Sequence, residues 1–312
     1  AVAAAFRQLV LHAPRRTVDS RRAVERLDAQ FHFDAVCAVC APYRTAFALE
    51  GARIGGKKLL WQLDPYASNR DYTAPGGFAR EGQLLEAVDG TFVTPQAMPD
   101  YTDGPLSPWR GKVHLLGFPV LLPAPETPAH TGTRCVFCGS LYPTVREPDF
   151  ALELFSRLNA PDLTLIMAGG GWQRFADQAE RAAAVLKDRF VRPGPLPPAD
   201  AAALETGADI LLSLGNAYDN QMPSKLFSYF GTGKPVLHLA VSETDPTLPY
   251  LARYPLGLVL QKKDGVTPEV LDRLSRWLTE VRGQRLPYEQ VAALYPEFTP
   301  QQVARDFLAA LS

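Results

Sequence analysis

A rhythm of short apolar runs constrains this chain more than any other feature. In the first half the runs are 35–41, 58–63, 90–94 and 113–117, preceded by Ala-rich and Arg-rich helical sequence over roughly 1–30. In the second half they are 135–139, 163–168, 190–193, 210–214, 236–240 and 257–260, with helical spacing over 149–158, 198–206 and 224–230. Runs of this length separated by helical or loop segments read as strands of a parallel sheet, because parallel neighbours need a crossover between them. Strand and helix alternate throughout, so helices are expected on both sheet faces, as in doubly wound α/β folds. Neither a short-period repeat nor a low-complexity tract interrupts the pattern.

The alternation breaks once. Between 117 and 133 the stretch GFPVLLPAPETPAHTGT is rich in proline, which can neither donate to a ladder nor sit inside a helix. It reads as a linker, 121–132, between a domain over 1–120 and another over 133–297. A length of 312 residues, 46% of them hydrophobic, suits two domains of roughly 150 residues each. Lys plus Arg number 32 against 33 Asp plus Glu, a formal charge of -1, so no global field draws in nucleic acid and any phosphate binding has to be local. No apolar run reaches the ~18 to 20 residues of a membrane span, and no apolar core followed by a cleavage site opens the sequence, so the cytosol is the default compartment. The basic segment Arg15, Arg16, Arg21 and Arg22 suggests peripheral contact with lipid headgroups; a solvated helix face is the plainer reading.

Two Cys-x-x-Cys pairs, Cys37/Cys40 and Cys135/Cys138, superficially suggest zinc. Both lie in strand candidates, where residues three apart point to opposite faces and cannot close on one metal, so buried reduced thiols are expected. The five histidines, at 12, 32, 114, 130 and 238, show no ligand spacing.

The strongest local signal is 216–236, NAYDNQMPSKLFSYFGTGKPV. An apolar strand, ADILLSL, empties into a polar loop that reaches Pro223, a residue favoured in the first turn of a helix. The helix expected over 224–230 would turn free backbone N–H groups near Ser224 and Lys225 toward an anion, with Lys225 adding a mobile positive charge and Ser224 a hydroxyl. An ordinary helix cap would look the same in isolation. Other loops join it. Gly139 and Ser140 end the first strand of the second half, with Arg146 just beyond; Gly169, Gly170 and Gly171 end the next; Gly194 ends the third, with Leu196 following. In a doubly wound sheet these loops open on one crevice outside the carboxyl ends of the strands, and glycines there let backbone approach a ligand closely. For each glycine a simple turn, and for Arg146 a surface charge, is the bland alternative.

These residues resemble a family. MPSKLFSYFGTGKPV is similar to the donor-site helix of GT-B glycosyltransferases, particularly bacterial family 4 members, which often read PSKxFEYxxxGKPI. LLWQLDPYASN, GTFVTPQAMPDY, KVHLLGFP, VFCGSLYPTVREPDFALELFSRL, LTLIMAGGGW and the closing PEFTPQQVARDFLAAL resemble further segments of those enzymes, over nearly the whole chain. The resemblance implies two Rossmann-like doubly wound parallel-sheet domains facing a cleft, with the last helix, 298–312, returning to the first domain. It implies retaining, metal-independent transfer of a sugar from a nucleoside diphosphate sugar to a hydroxyl acceptor, a glycan, exopolysaccharide or lipid-linked group. No cofactor beyond the donor is implied, and no nucleic acid. Arg146 and Lys225 would meet the leaving diphosphate, where pre-aimed donors stabilise growing negative charge. Base and hexose would fall near Gly194 and Leu196, and Asn220, Met222, Pro223, Ser224 and Ser228 line the donor motif. Asp64, after a strand and before Pro65, is the carboxylate candidate on the acceptor side, although capping a turn is its commoner use.

Two departures stand out. Family 4 enzymes often carry paired glutamates eight positions apart, the second binding the ribose hydroxyls; the matching positions here are Asn220 and Ser228, and a neutral contact is roughly half as strong as a charged one. The first half also has four strand candidates where the family usually has six or more, which reads as a first domain without its opening strands. Competing readings are a catalytically inactive glycosyltransferase-like scaffold, a sugar-nucleotide epimerase, a periplasmic sugar-binding protein, and a metal-dependent GT-A enzyme using Glu243 and Asp245.

Overall fold

A computed structural model of the protein describes residues 13–40, 42–69, 74–126 and 130–311, the first five of them as backbone only. The expectation about Arg15 and Arg16, and the histidine at 12, therefore lie outside the described side chains. The chain divides into two compact units, Ala1–Gly117 with Asn220–Met222 and Ala304–Ser312, and Phe118–Asp219 with Pro223–Val303.

Unit 1 holds four parallel strands in the order β1-β2-β3-β4: β1 Ala35–Cys40, β2 Lys57–Gln62, β3 Gly90–Val93 and β4 Val113–Leu115. Between them run the helices Arg44–Glu50, Gly77–Glu86 and Met98–Thr102, after a first helix Ala13–Phe31. Leu60, Leu84, Leu85, Val93, Tyr101 and Leu106 form the middle of its core. The helix Pro300–Ala309 contributes Phe307, which stacks on Phe92 at 4.8 Å. Around Gln62 and Glu81 the buried polar groups are paired with one another, as burial favours. The Glu81 carboxylate accepts from the Ala67 amide at 2.9 Å and the Tyr101 hydroxyl at 2.6 Å; Gln62 donates to Tyr101 at 2.8 Å and Thr91 at 3.0 Å, and accepts from Tyr43 at 2.9 Å. Burial pushes the Glu81 carboxyl above its ordinary range, and the hydrogen bonds from Tyr101 and Ala67 only partly offset this.

Unit 2 holds six parallel strands: β5 Thr133–Cys138, β6 Leu163–Ala168, β7 Phe190–Gly194, β8 Ile210–Leu214, β9 Val236–Ala240 and β10 Gly257–Gln261. Their order is β10-β9-β8-β5-β6-β7, so the chain builds outward from β5 in one direction, then returns to build from β8 in the other. That reversal between β5 and β8 is the topological switch point, where doubly wound sheets leave a crevice at the carboxyl ends of the strands. Every residue of β8 and β9 is buried, which explains their unbroken apolar character. Ser213 of β8, His238 of β9 and Asp245 from the loop after β9 form a buried row, His238 Nδ1 3.0 Å from the Ser213 hydroxyl and Nε2 3.0 Å from Asp245, with Thr247 also donating to Asp245. Burial alone would raise the Asp245 carboxyl; the hydrogen bonds and charge of His238 and the bonds from Thr247 outweigh it and hold the group low.

Covered on both faces, the β5 strand buries Cys135 and Cys138 alike, and all four cysteines are free thiols. Burial pushes Cys37 up to about 11 and Cys40 up to about 12. One sequence expectation needs correcting. The donor-motif helix is Lys225–Gly231, one residue later than the spacing suggests; Ser224 is its cap, so Pro223 precedes the first turn. Within the proline-rich stretch Leu121 is fully buried, its amide donating to the Phe298 carbonyl at 3.0 Å, and its carbonyl accepts from the Tyr288 hydroxyl at 2.9 Å. Proline removes donors but not apolar surface, and Leu121 and Phe118 find a core.

Candidate functional site: the switch point of unit 2

The loops after β5, β6, β7 and β8 are stitched to one another by main chain. Leu141 donates to Gly170 at 2.9 Å, Gly169 to Gly194 at 2.9 Å, and Ala217 to Val145 at 2.9 Å. The glycines do different work. A Cβ on Gly169, where φ is +139, would lie 1.7 Å from the Gly139 oxygen, and one on Gly171, where φ is +95, 2.1 Å from the Leu141 oxygen. These two are glycine because neighbouring loops press against them. Gly139 has the Phe137 ring 2.9 Å from its Cβ position. Gly170 meets only Pro195 at 4.0 Å, and Gly194, with φ +79, has nothing within 4 Å. Room beside the strand ends is therefore found at Gly170 and Gly194, next to half-buried Leu196.

Two cations stand at the switch point. Arg146 follows β5 in a tight loop closed by a bridge between Tyr142 and Arg146, with Thr144 at φ +64 held by the Glu147 carboxylate at 3.0 Å. Its guanidinium donates twice to the Asn216 side-chain oxygen, at 3.0 and 2.8 Å, and once to the Ser140 carbonyl at 3.4 Å. Asn216 lies just past β8, so this fork ties the two strands between which the sheet order reverses. Lys225 does the same from the other side. Its ammonium donates to the Cys138 carbonyl at 2.8 Å, at the end of β5, and lies 2.6 Å from Glu205. The ammonium thus has one hydrogen bond, to the Cys138 carbonyl, and one close opposite charge, Glu205, while its side chain stays 45% exposed. Burial, and then the charge of Glu205, push the Cys138 thiol up to about 12 and the Tyr229 phenol well above its usual range.

Gly139, Ser140, Arg146, Gly169, Gly170, Gly171, Gly194, Leu196, Ser224 and Lys225 all belong to unit 2 and lie on its strand-end loops and the helix start beyond β8. Ser228 lies further along that helix, its hydroxyl donating to the Lys225 carbonyl at 2.8 Å. Asn220 and Met222 belong to unit 1, where the Asn220 amide donates to the Ser68 carbonyl at 2.6 Å. Asp64 also belongs to unit 1, past the end of β2, its carbonyl accepting from the Tyr43 hydroxyl at 2.5 Å. Sequence reasoning missed Glu205 and Asn216. Asn216 was within reach as the first polar side chain after ILLSLG. Glu205 leaves one trace, an acidic residue in the last turn of a helix, where the dipole disfavours it. Among the described residues no group of three or more His, Cys, Asp or Glu side chains is arranged to hold a metal ion, and no helix is long and apolar enough to cross a membrane.

Two all-parallel sheets, of four and six strands with flanking helices, together with the structural likenesses that follow, show a GT-B fold. Among solved structures the chain is similar to Anabaena HepE in complex with UDP-glucose, at 13% identity and a TM-score of 0.62 over 97% of this chain and 84% of that one. It is similar to sucrose-phosphate synthase from Thermosynechococcus elongatus at 16% identity, with a TM-score of 0.65 over 93% and 77% of the two chains. The lipopolysaccharide outer core galactosyltransferase WaaB, in its apo form, matches at 10% identity and 0.57 over 97% and 81%. At such identities the likeness is one of fold. No protein-family model and no curated sequence matches the chain.

Proposed function

We propose that the chain is a glycosyltransferase that takes a sugar from a nucleoside diphosphate sugar and passes it to a hydroxyl acceptor, with retention and without a metal ion. The observation that carries the reading is the position of Arg146 and Lys225: two cations, each bonded to a carbonyl at or just past the end of β5, at the reversal point of the sheet. Breaking the bond from the anomeric carbon to the diphosphate oxygen leaves negative charge on that oxygen; cations already in place stabilise it without reorganising. The acceptor oxygen then bonds the anomeric carbon, and its proton passes to the departing phosphate, so no separate base is required. HepE, a structural neighbour, is known bound to UDP and to UDP-glucose, which supports a uridine nucleotide as the first donor to try. Gly170 and Gly194 supply room for the diphosphate and base.

A second reading draws on Asn220 and Ser228, which stand where the resembled enzymes carry acids and are both engaged internally, with Ser68 and Lys225. It is a protein that binds the donor and does not turn it over. One experiment addresses both. A thermal-shift panel of nucleoside diphosphates and their sugars, with and without EDTA, is read on wild type and Arg146→Ala. A ligand at 100 times its dissociation constant stabilises the fold by ~2.7 kcal/mol. An EDTA-insensitive shift with at least one nucleotide, reduced in Arg146→Ala, is expected; no shift with any of them refutes donor binding. Transfer or hydrolysis of the donor that shifts the melting curve, followed by NMR of the anomeric proton, then separates an enzyme from a binder and retention from inversion.

A further inference from the structure

Glu205 is a carboxylate in an unfavourable place. It lies in the last turn of the helix Pro198–Thr206, whose C-terminal end carries partial negative charge. Its own carbonyl, with those of Thr206 and Ala208, already draws on the buried Lys234 ammonium. Its side chain is only 17% exposed, and its charge helps hold the Cys138 thiol and Tyr229 phenol in their neutral forms. Among the described residues its ion-pair partner is Lys225, 2.6 Å away. Lys225 in turn is 45% exposed, so the pair has a wet side. An ammonium has three N–H donors. One is given to the Cys138 carbonyl, and Glu205 faces the ammonium as an opposite charge, which leaves N–H capacity on the wet side for a ligand. A carboxylate against a cation that is read as meeting an anionic diphosphate lowers the pull of that cation, since the ligand meets a partly offset charge in place of a full one.

We propose that Glu205 sets the anion affinity of the site through Lys225: by offsetting part of its charge, it keeps the diphosphate product less tightly held, so that it leaves after transfer. This deepens, and rests on, the reading of the switch point as a nucleoside diphosphate site. It assigns Glu205 no contact with substrate.

The test is calorimetric titration of UDP, GDP and ADP, and of the matching nucleosides, into wild type, Glu205→Gln, Lys225→Gln and the double variant. Glu205→Gln is expected to bind the preferred diphosphate about 5-fold tighter than wild type, the size of one partly exposed ion pair. The nucleoside should bind unchanged, and the double variant should lose the gain. The gain should also shrink with added salt, which a purely structural role for Glu205 would not produce. Equal tightening for the nucleoside, or weaker diphosphate binding, overturns the proposal. Should Glu205→Gln fail to fold, Lys225→Gln carries the test. A charge already partly offset is a smaller loss, so Lys225→Gln should weaken diphosphate binding less than Arg146→Gln does, and a greater weakening overturns the idea. Binding to wild type without the Glu205→Gln gain sinks this inference alone; silence of both proteins toward every nucleotide sinks the donor-site reading with it.

Discussion

A methyl group at position 169 would have to share space with the oxygen of Gly139, whereas one at position 194 would meet nothing. Both residues have positive φ, so replacing either by alanine carries a backbone cost of ~1–2 kcal/mol, but only the first adds a collision with main chain. Gly194→Ala should lose about that much in urea denaturation. Gly169→Ala should lose more than ~3 kcal/mol, because two strand-end loops must part; equal losses would show that the loops yield easily. Asn216 makes a different kind of prediction, on affinity. Its side chain is what holds the Arg146 fork, and a hydrogen bond to a charged group is worth ~1.5–3 kcal/mol, so Asn216→Ala should weaken nucleotide binding about 10-fold by calorimetry. At this scale the sequence was read unevenly. Strand-end glycines and cations stood out by position, but what each touches did not. Lys225 showed its charge and hid its partner, since Glu205 lies on another helix and nothing in local spacing couples the two.

Elements were far easier to read. All ten strands fall within two residues of the apolar runs at either end, and β8 and β9, buried at every position, read most plainly because nothing in them alternates. The helix Pro268–Glu280 went unread for the converse reason: its polar face dominates, and only Leu274 and Trp277 are buried. What stabilises an element was less legible than where it lies. Lys234 reads as part of a glycine-lysine-proline turn, yet its ammonium bonds the last carbonyls of the helix Pro198–Thr206. Lys234→Met should cost ~2–4 kcal/mol in chemical denaturation, since it strands several carbonyls in the interior. In unit 1, the helix Gly77–Glu86 brings Glu81 inside, with its carboxyl raised by burial. An acid whose folded value exceeds its unfolded one contributes stability that is complete below the ordinary carboxylate range and is lost as pH rises through the folded value. The melting temperature of Glu81→Gln relative to wild type should therefore climb with pH across that window. A flat difference would mean that the bonds from Tyr101 and Ala67 fully offset burial.

The whole chain carries a formal charge of -1, so it has no long-range field to gather phosphates, and binding has to depend on a few fixed groups. Hydrogen exchange should reflect this. Added nucleotide is expected to protect the strand-end loops near 139–146, 169–172, 194–196 and 215–225, and to leave the amino ends of β5, β6 and β8 unchanged. Protection spread evenly over unit 2 would point to general tightening in place of a local site.

One buried row of side chains bears on how such assays are read. Ser213, His238 and Asp245 are the three residue types of a serine hydrolase, but they are shut inside the sheet, and the imidazole turns Nδ1, not Nε2, toward the hydroxyl. Fluorophosphonate probes should leave Ser213 unlabelled, so slow loss of an activated ester or sugar in a preparation of this protein would have to be traced to groups other than this row.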